Sequence, residues 1–254
     1  MSQLKIIAFS IVSFTLFTAS AQSIKVCQRS SAVKTAIEGA LNKTCDQITT
    51  EDLKSVKSLN ISYTNVQTLE KSDLAGLTQL QSLFLFADNI PSLPVDLFQG
   101  LNSLKALYIY DDQLASLPEN IFQGLTSLEE LYLFKNQFTQ LPEGLFRGLV
   151  SLQILDIGYN QIDSLPENIF QDLKSLRILN LGPNHLTTLP EKLLHHLAAL
   201  EDVFINHNRI QEISEGTFAS PNFSSTSRVS LRGNPLSEAT VKMLESQLAG
   251  RLDY

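Results

Sequence analysis

The chain has 254 residues, 43% of them hydrophobic, and a formal net charge of -7. That apolar content excludes a disordered chain. The acidity, with no basic stripe, excludes a surface built for phosphate backbones and argues against docking on anionic membranes. No nucleic-acid partner is expected.

In chain order, residues 1–21 read as a secretory signal peptide. Lys5 supplies the positive start, Ile6 to Phe17 the apolar run, and Ala19-Ser20-Ala21 the cleavage site. The run is shorter than the ~20 residues that a spanning helix needs. No later segment is apolar enough to span, so an exported chain that is not an integral membrane protein is expected. Cys27 and Cys45 are the only cysteines. In an oxidising compartment they most simply form a disulfide, with a reactive thiol as the alternative.

Residues 22–55 form a helical N-terminal cap. Val33, Ala36, Ile37, Ala40 and Leu41 recur at helical spacing, which predicts an amphipathic helix over Ser31 to Leu41. Thr49-Thr50-Glu51-Asp52 then opens a second, shorter helix.

Residues 56–236 are periodic. Val56, Leu80, Leu104, Leu128, Leu152, Leu176 and Leu200 stand 24 residues apart, and each opens the same pattern. Leu104-Lys-Ala-Leu107-Tyr-Ile109-Tyr-Asp-Asp112-Gln-Leu114 aligns with Leu152-Gln-Ile-Leu155-Asp-Ile157-Gly-Tyr-Asn160-Gln-Ile162. A second half follows each, as in SLPENIFQGLTS, and a partial eighth copy spans Val229, Leu231, Asn234 and Leu236. Alternation turns Leu107 and Ile109 inward, beside Leu83/Leu85, Leu131/Leu133, Leu155/Ile157 and Leu179/Leu181 of neighbouring copies. A parallel sheet is predicted, because no single strand can bury its apolar face alone. Phe98, Phe122, Phe146, Phe170 and Phe218 are expected to form a second buried column, thinner where Leu74 and Leu194 replace Phe.

Each turn has an amide slot, held by Asn136, Asn160, Asn184, Asn208 and Asn234 in the later copies. Buried there, an amide both donates to and accepts from the backbone. Thr64, Asp88 and Asp112 hold the slot in the early copies. An ionised carboxylate cannot donate, so that stretch of the ladder is expected to be weaker or water-mediated. Residues 237–254 form a C-terminal capping helix, with Val241, Leu244 and Leu248 on one face. SPNFSSTS, before the last copy, lengthens the period by two residues, as an exposed loop does.

The pattern L-x-x-L-x-L-x-x-N-x-L followed by L-P-x-x-x-F-x-x-L resembles the leucine-rich repeat family over about Val56 to Leu236. The 24-residue period looks like the "typical" class, and the helical cap looks like that of secreted bacterial members. The resemblance implies an α/β solenoid, a right-handed horseshoe with a parallel β-sheet on its concave face and helical caps, and a role in protein recognition.

Residues alternating with the core leucines face the concave side. Three adjacent strands carry aromatics there, in two columns: Phe84, Tyr108, Tyr132 and Phe86, Tyr110, Phe134. The next two strands carry Asp156, Asn180 and the glycines Gly158 and Gly182. Aromatics favour strands and stabilise sheets without binding anything. Six neighbouring rings, however, expose on the order of several hundred Å², at the upper end for a monomer. Confinement to half the array favours a partner-binding site. Asp111, Glu129, Glu130 and Asp156 rim it, with Lys105 and Lys135 between them, and Lys135 is placed to pair with Asp111. A protein ligand with basic groups is expected; glycan binding on the same rings is the alternative. Gly158 and Gly182 read either as a bare floor for a partner's side chain or as tolerated exposed positions.

Catalytic chemistry is weakly represented. His185 and His207 fall on adjacent turns without a third ligand of metal-site spacing. Glu130 with Asp156 is the nearest to a glycosidase carboxylate pair, on an open sheet without a deep pocket. No catalytic residue, metal or cofactor is predicted.

Overall fold

The structure, a computed structural model, describes residues 26–219, 223, 226–248 and 250–254. The signal segment and most of the SPNFSSTS loop lie outside the described residues. A 3-10 turn, Val26–Gln28, leads into helices α1 (Ser31–Leu41) and α2 (Thr50–Ser55). Eight strands follow: β1 (Ser58–Asn60), β2 (Ser82–Phe86), β3 (Ala106–Tyr110), β4 (Glu130–Tyr132), β5 (Ile154–Asp156), β6 (Ile178–Asn180), β7 (Asp202–Phe204) and β8 (Arg228–Ser230). Helix α3 (Glu238–Leu248) and a two-residue strand β9 (Leu252–Asp253) end the described fold. All nine strands form one sheet in chain order, each parallel to the next.

The register repeats the sequence period. Leu83 pairs with Leu107, Leu107 with Leu131, Leu131 with Leu155, and Leu155 with Leu179. These leucines have no exposed surface and belong to one continuous core. The phenylalanine column is buried, with Phe98 against Phe122 at 6.1 Å and Phe146 against Phe170 at 5.9 Å between centroids. Leu74 and Leu194 are as buried as the rings they replace, so the column narrows without opening.

The amide ladder explains the asparagines. Asn184 Oδ1 accepts from Ile162 N–H at 2.9 Å, and its Nδ2 donates to Ile157 O and Leu181 O. Asn160, Asn208 and Asn234 repeat the scheme. In the early copies the turn itself changes. Asp88 Oδ1 accepts from the consecutive amides of Thr64 (2.6 Å) and Asn65 (2.9 Å), and Asp112 Oδ1 accepts from Asp88 N–H at 2.8 Å. Asn65, Asn89 and Gln113, which follow these slots, have positive φ, whereas the residues that follow the asparagines do not. The chain twists until successive N–H groups converge on one oxygen, a small anion nest. The acceptor half of the ladder is therefore kept at Asp88 and Asp112 while their donor half is lost, and Thr64 still donates its hydroxyl to Ile61 O at 2.7 Å.

Both cap helices form where their spacing predicts. Val33 and Ile37 of α1 are fully buried, and Thr49 caps α2 in a reciprocal box with Asp52. Cys27 and Cys45 are joined as a disulfide, tying the first turn to the loop after α1. The cap is also latched by Arg29. Its buried guanidinium donates to Asp73 O and Ala75 O, while Asp73 accepts from the amides of Ser30 and Glu70. At the other end α3 buries Thr240, Leu244 and Leu248, with Val241 only half-buried, because Thr240 turns inward to donate to Glu212.

Replacing Asn184 by Ala orphans two carbonyls and one amide in a buried turn. We expect a loss of about 3 kcal/mol in urea-induced unfolding; a change below ~0.5 kcal/mol would mean the ladder contributes little.

Candidate functional site

Alternation along β2, β3 and β4, continued two residues past β4 to Phe134, places the six aromatics on the face opposite the core, each half-buried. Parallel pairing then sets ring beside ring. Phe84, Tyr108 and Tyr132 stack at centroid spacings of 4.7 and 4.8 Å, nearly coplanar in orientation. Phe86, Tyr110 and Phe134 stack at 4.4 and 4.3 Å. Such spacing follows from the ~4.8 Å strand separation. The rings thus spend their faces on one another and turn their edges to solvent. Free faces remain only at stack ends, and Tyr63 closes one of these by meeting Phe86 edge-on at 5.2 Å. Tyr63 is 76% exposed, and the sequence reading passed over it because it sits on a turn rather than on a strand.

The carboxylates of the rim are engaged to different degrees. Glu129 pairs with Lys105 at 2.8 Å, and Glu130 accepts from the Tyr108 hydroxyl at 3.0 Å. Burial first, and then Glu130, push the Tyr108 phenol up to about 12. Burial and the charges of Glu130 and Asp156 also raise Tyr132. Asp156 folds back to accept from Gly158 N–H at 2.9 Å, and burial raises its carboxyl. Asp111 is exposed at a positive-φ turn and forms no ion pair with Lys135. Instead the two line an open groove of about 500 Å³ with Asn89, Gln113, Gln137 and Tyr159.

Beyond Phe134 the concave face changes character. Gly158 and Gly182 are buried, and neither earlier reading of them describes their role. A methyl carbon built on Gly158 falls on the Gly182 carbonyl oxygen, and one built on Gly182 falls on that of Asn206. They are glycines because adjacent backbones come too close for Cβ. Asp156 and Asn180 cap the amides of these glycines, so this half of the face satisfies itself. Further on, Arg228 lies 5.5 Å over the Phe204 ring and pairs with Asp202.

Among the described residues no group of three or more potential metal ligands occurs, and no helix is long and apolar enough to cross a membrane. His195 Nε2 lies 3.3 Å from Gly216 O, and no hydrogen bond joins His185 to His207.

Two measurements test this geometry. Gly182→Ala should cost more than ~2 kcal/mol in chemical unfolding, since backbone must shift to admit the methyl. In a spectrophotometric titration Tyr108 should stay protonated beyond pH 11. Glu130→Gln should lower that late step only partly, because burial is the larger cause.

Among curated proteins none matches the chain significantly. The family model described as leucine rich repeat matches residues 87–138, 132–186 and 176–236, a continuous span of more than half the chain. Together with the one-sheet parallel solenoid, this establishes that the chain belongs to the leucine-rich repeat family.

Proposed function

We propose that the protein is an exported, non-enzymatic binding module that takes hold of a protein partner through the aromatic half of its concave face. Leucine-rich repeat domains generally act in protein–protein binding. The observation that carries the proposal here is the pair of three-ring stacks, confined to β2, β3 and the β4 segment through Phe134, on a sheet face whose one further ring in these columns, Phe204, is covered by Arg228. Pre-stacked rings lose little entropy on binding, which suits them as interface anchors.

Basic groups on the partner are favoured by a unit inside the chain itself. Asp202 and Phe204 hold Arg228 between a carboxylate and a ring face. Glu130 and Tyr132 occupy the equivalent strand positions, but the place of Arg228 is taken by Ile154. A partner's guanidinium would complete the same arrangement, with Asp111 exposed nearby for a second cation and Asp156 beyond Tyr132. Glycan recognition, the second reading, needs open ring faces, and stacking leaves few of them. Export rests on the signal-like N-terminus and on the Cys27–Cys45 disulfide, a bond that persists in oxidising compartments.

The test is joint replacement of Tyr108, Tyr132 and Phe134 by Ala. Binding to a partner captured from cell-surface extracts should weaken by about 3 kcal/mol or more, with the circular dichroism spectrum of the sheet retained. Unchanged affinity removes the platform from consideration, and selective capture on a glycan array would favour the second reading.

A further inference from the structure

Two carboxyls lie behind the aromatic strands without a role in the recognition surface. Asp88 and Asp112, two residues beyond Phe86 and Tyr110, are fully buried. In each, Oδ1 accepts backbone amides, while Oδ2 is buried with no hydrogen-bond partner. At the same slot in the later turns stands an amide nitrogen that donates to two carbonyls. A neutral carboxylic acid is the isostere of that amide: its carbonyl oxygen accepts and its hydroxyl donates. An ionised one leaves an uncompensated oxygen in a dry turn.

We propose that Asp112, beside the equally buried Asp88, is a proton-binding site, in which a proton taken up by Asp112 supplies the donor that asparagine supplies in the later repeats. No cation opposes this. The charges that act on Asp112 are Asp88 and Asp111, both of the same sign, and the backbone amides of Asp88 and Asn89 face it. Lys135, on the next turn, is exposed and makes no contact with it. Burial, the largest cause, and then the neighbouring charges, raise the Asp112 carboxyl to about 6, against the backbone hydrogen bonds that lower it. The proposal stands whatever the concave face binds. Its consequence for that face is that the turns ending β2 and β3, which carry Ala87, Asn89, Asp111 and Gln113 at positive φ, are tightest at mildly acid pH.

The sign is fixed by linkage. The folded chain holds a proton that the unfolded chain releases near the ordinary Asp value of ~4, so stability is present below that pH and is lost as pH rises through about 6. Thermal unfolding of the mature chain should therefore occur roughly 5 °C higher at pH 5 than at pH 7.5. Asp112→Asn, which carries the donor permanently, should unfold above wild type at pH 7.5 and lose most of the pH dependence. Comparing the two chains at each pH cancels the histidines, which both contain. An Asp112→Asn chain no more stable than wild type at pH 7.5, with the same pH slope, overturns the proposal. If that variant does not fold, carboxyl-carbon NMR of the wild type decides. A midpoint above ~5 assigned to Asp112 supports the site, and an Asp112 midpoint below that overturns it.

Discussion

The whole molecule rests on one constraint: a strand of this chain has no buried side until the next strand lies against it. Leu107 and Ile109 reach zero exposure only between the equivalent leucines of β2 and β4. Core and sheet are thus built by the same event, the addition of a turn in register. Truncating a leucine such as Leu155 harms two interfaces at once, and the general cost of such a cavity is about 2–5 kcal/mol. The same constraint makes covers necessary at both ends, which is why α1 and α3 contribute Val33, Ile37, Leu244 and Leu248 to the core.

Stacking in register also gives the concave face its chemistry, because a residue type repeated every 24 positions becomes a column in space. Three aromatic copies become ring stacks. Asp156 and Asn180 become self-capping turns over glycines. The face passes from stacked rings to satisfied amides between β4 and β5, and a single ring, Phe204 under Arg228, returns on β7. In the turns, asparagine rungs give way to carboxylate rungs at Asp112, one strand earlier. The two boundaries lie one strand apart, so β2 and β3 carry both rings and an altered turn, while β4 carries rings and ends in the asparagine rung Asn136.

What could be read from sequence was whatever depends on local pattern or period: the leucine register, both cap helices, the buried phenylalanines, and the outward direction of the six rings. Properties set by distance in space were not legible. The glycines looked like vacancies on the surface, and only the approach of the Gly182 and Asn206 carbonyls explains them. The rings were placed on the correct face, but their orientation needed the actual spacing between strands. Arg29 and Asp73 belong to no repeat and lie 44 positions apart, so nothing in the periodicity ties them together. Strand β9 is two residues long, below the length at which alternation carries a signal.

That last strand has a consequence for assembly. A row of parallel strands is a template at each border, able to recruit a further chain by main-chain hydrogen bonds. Here α1 packs against β1 at one border, and at the other β9 presents only Leu252 and Asp253. Lengthwise growth of the sheet into fibres by edge-to-edge pairing therefore has a poor starting point at either border.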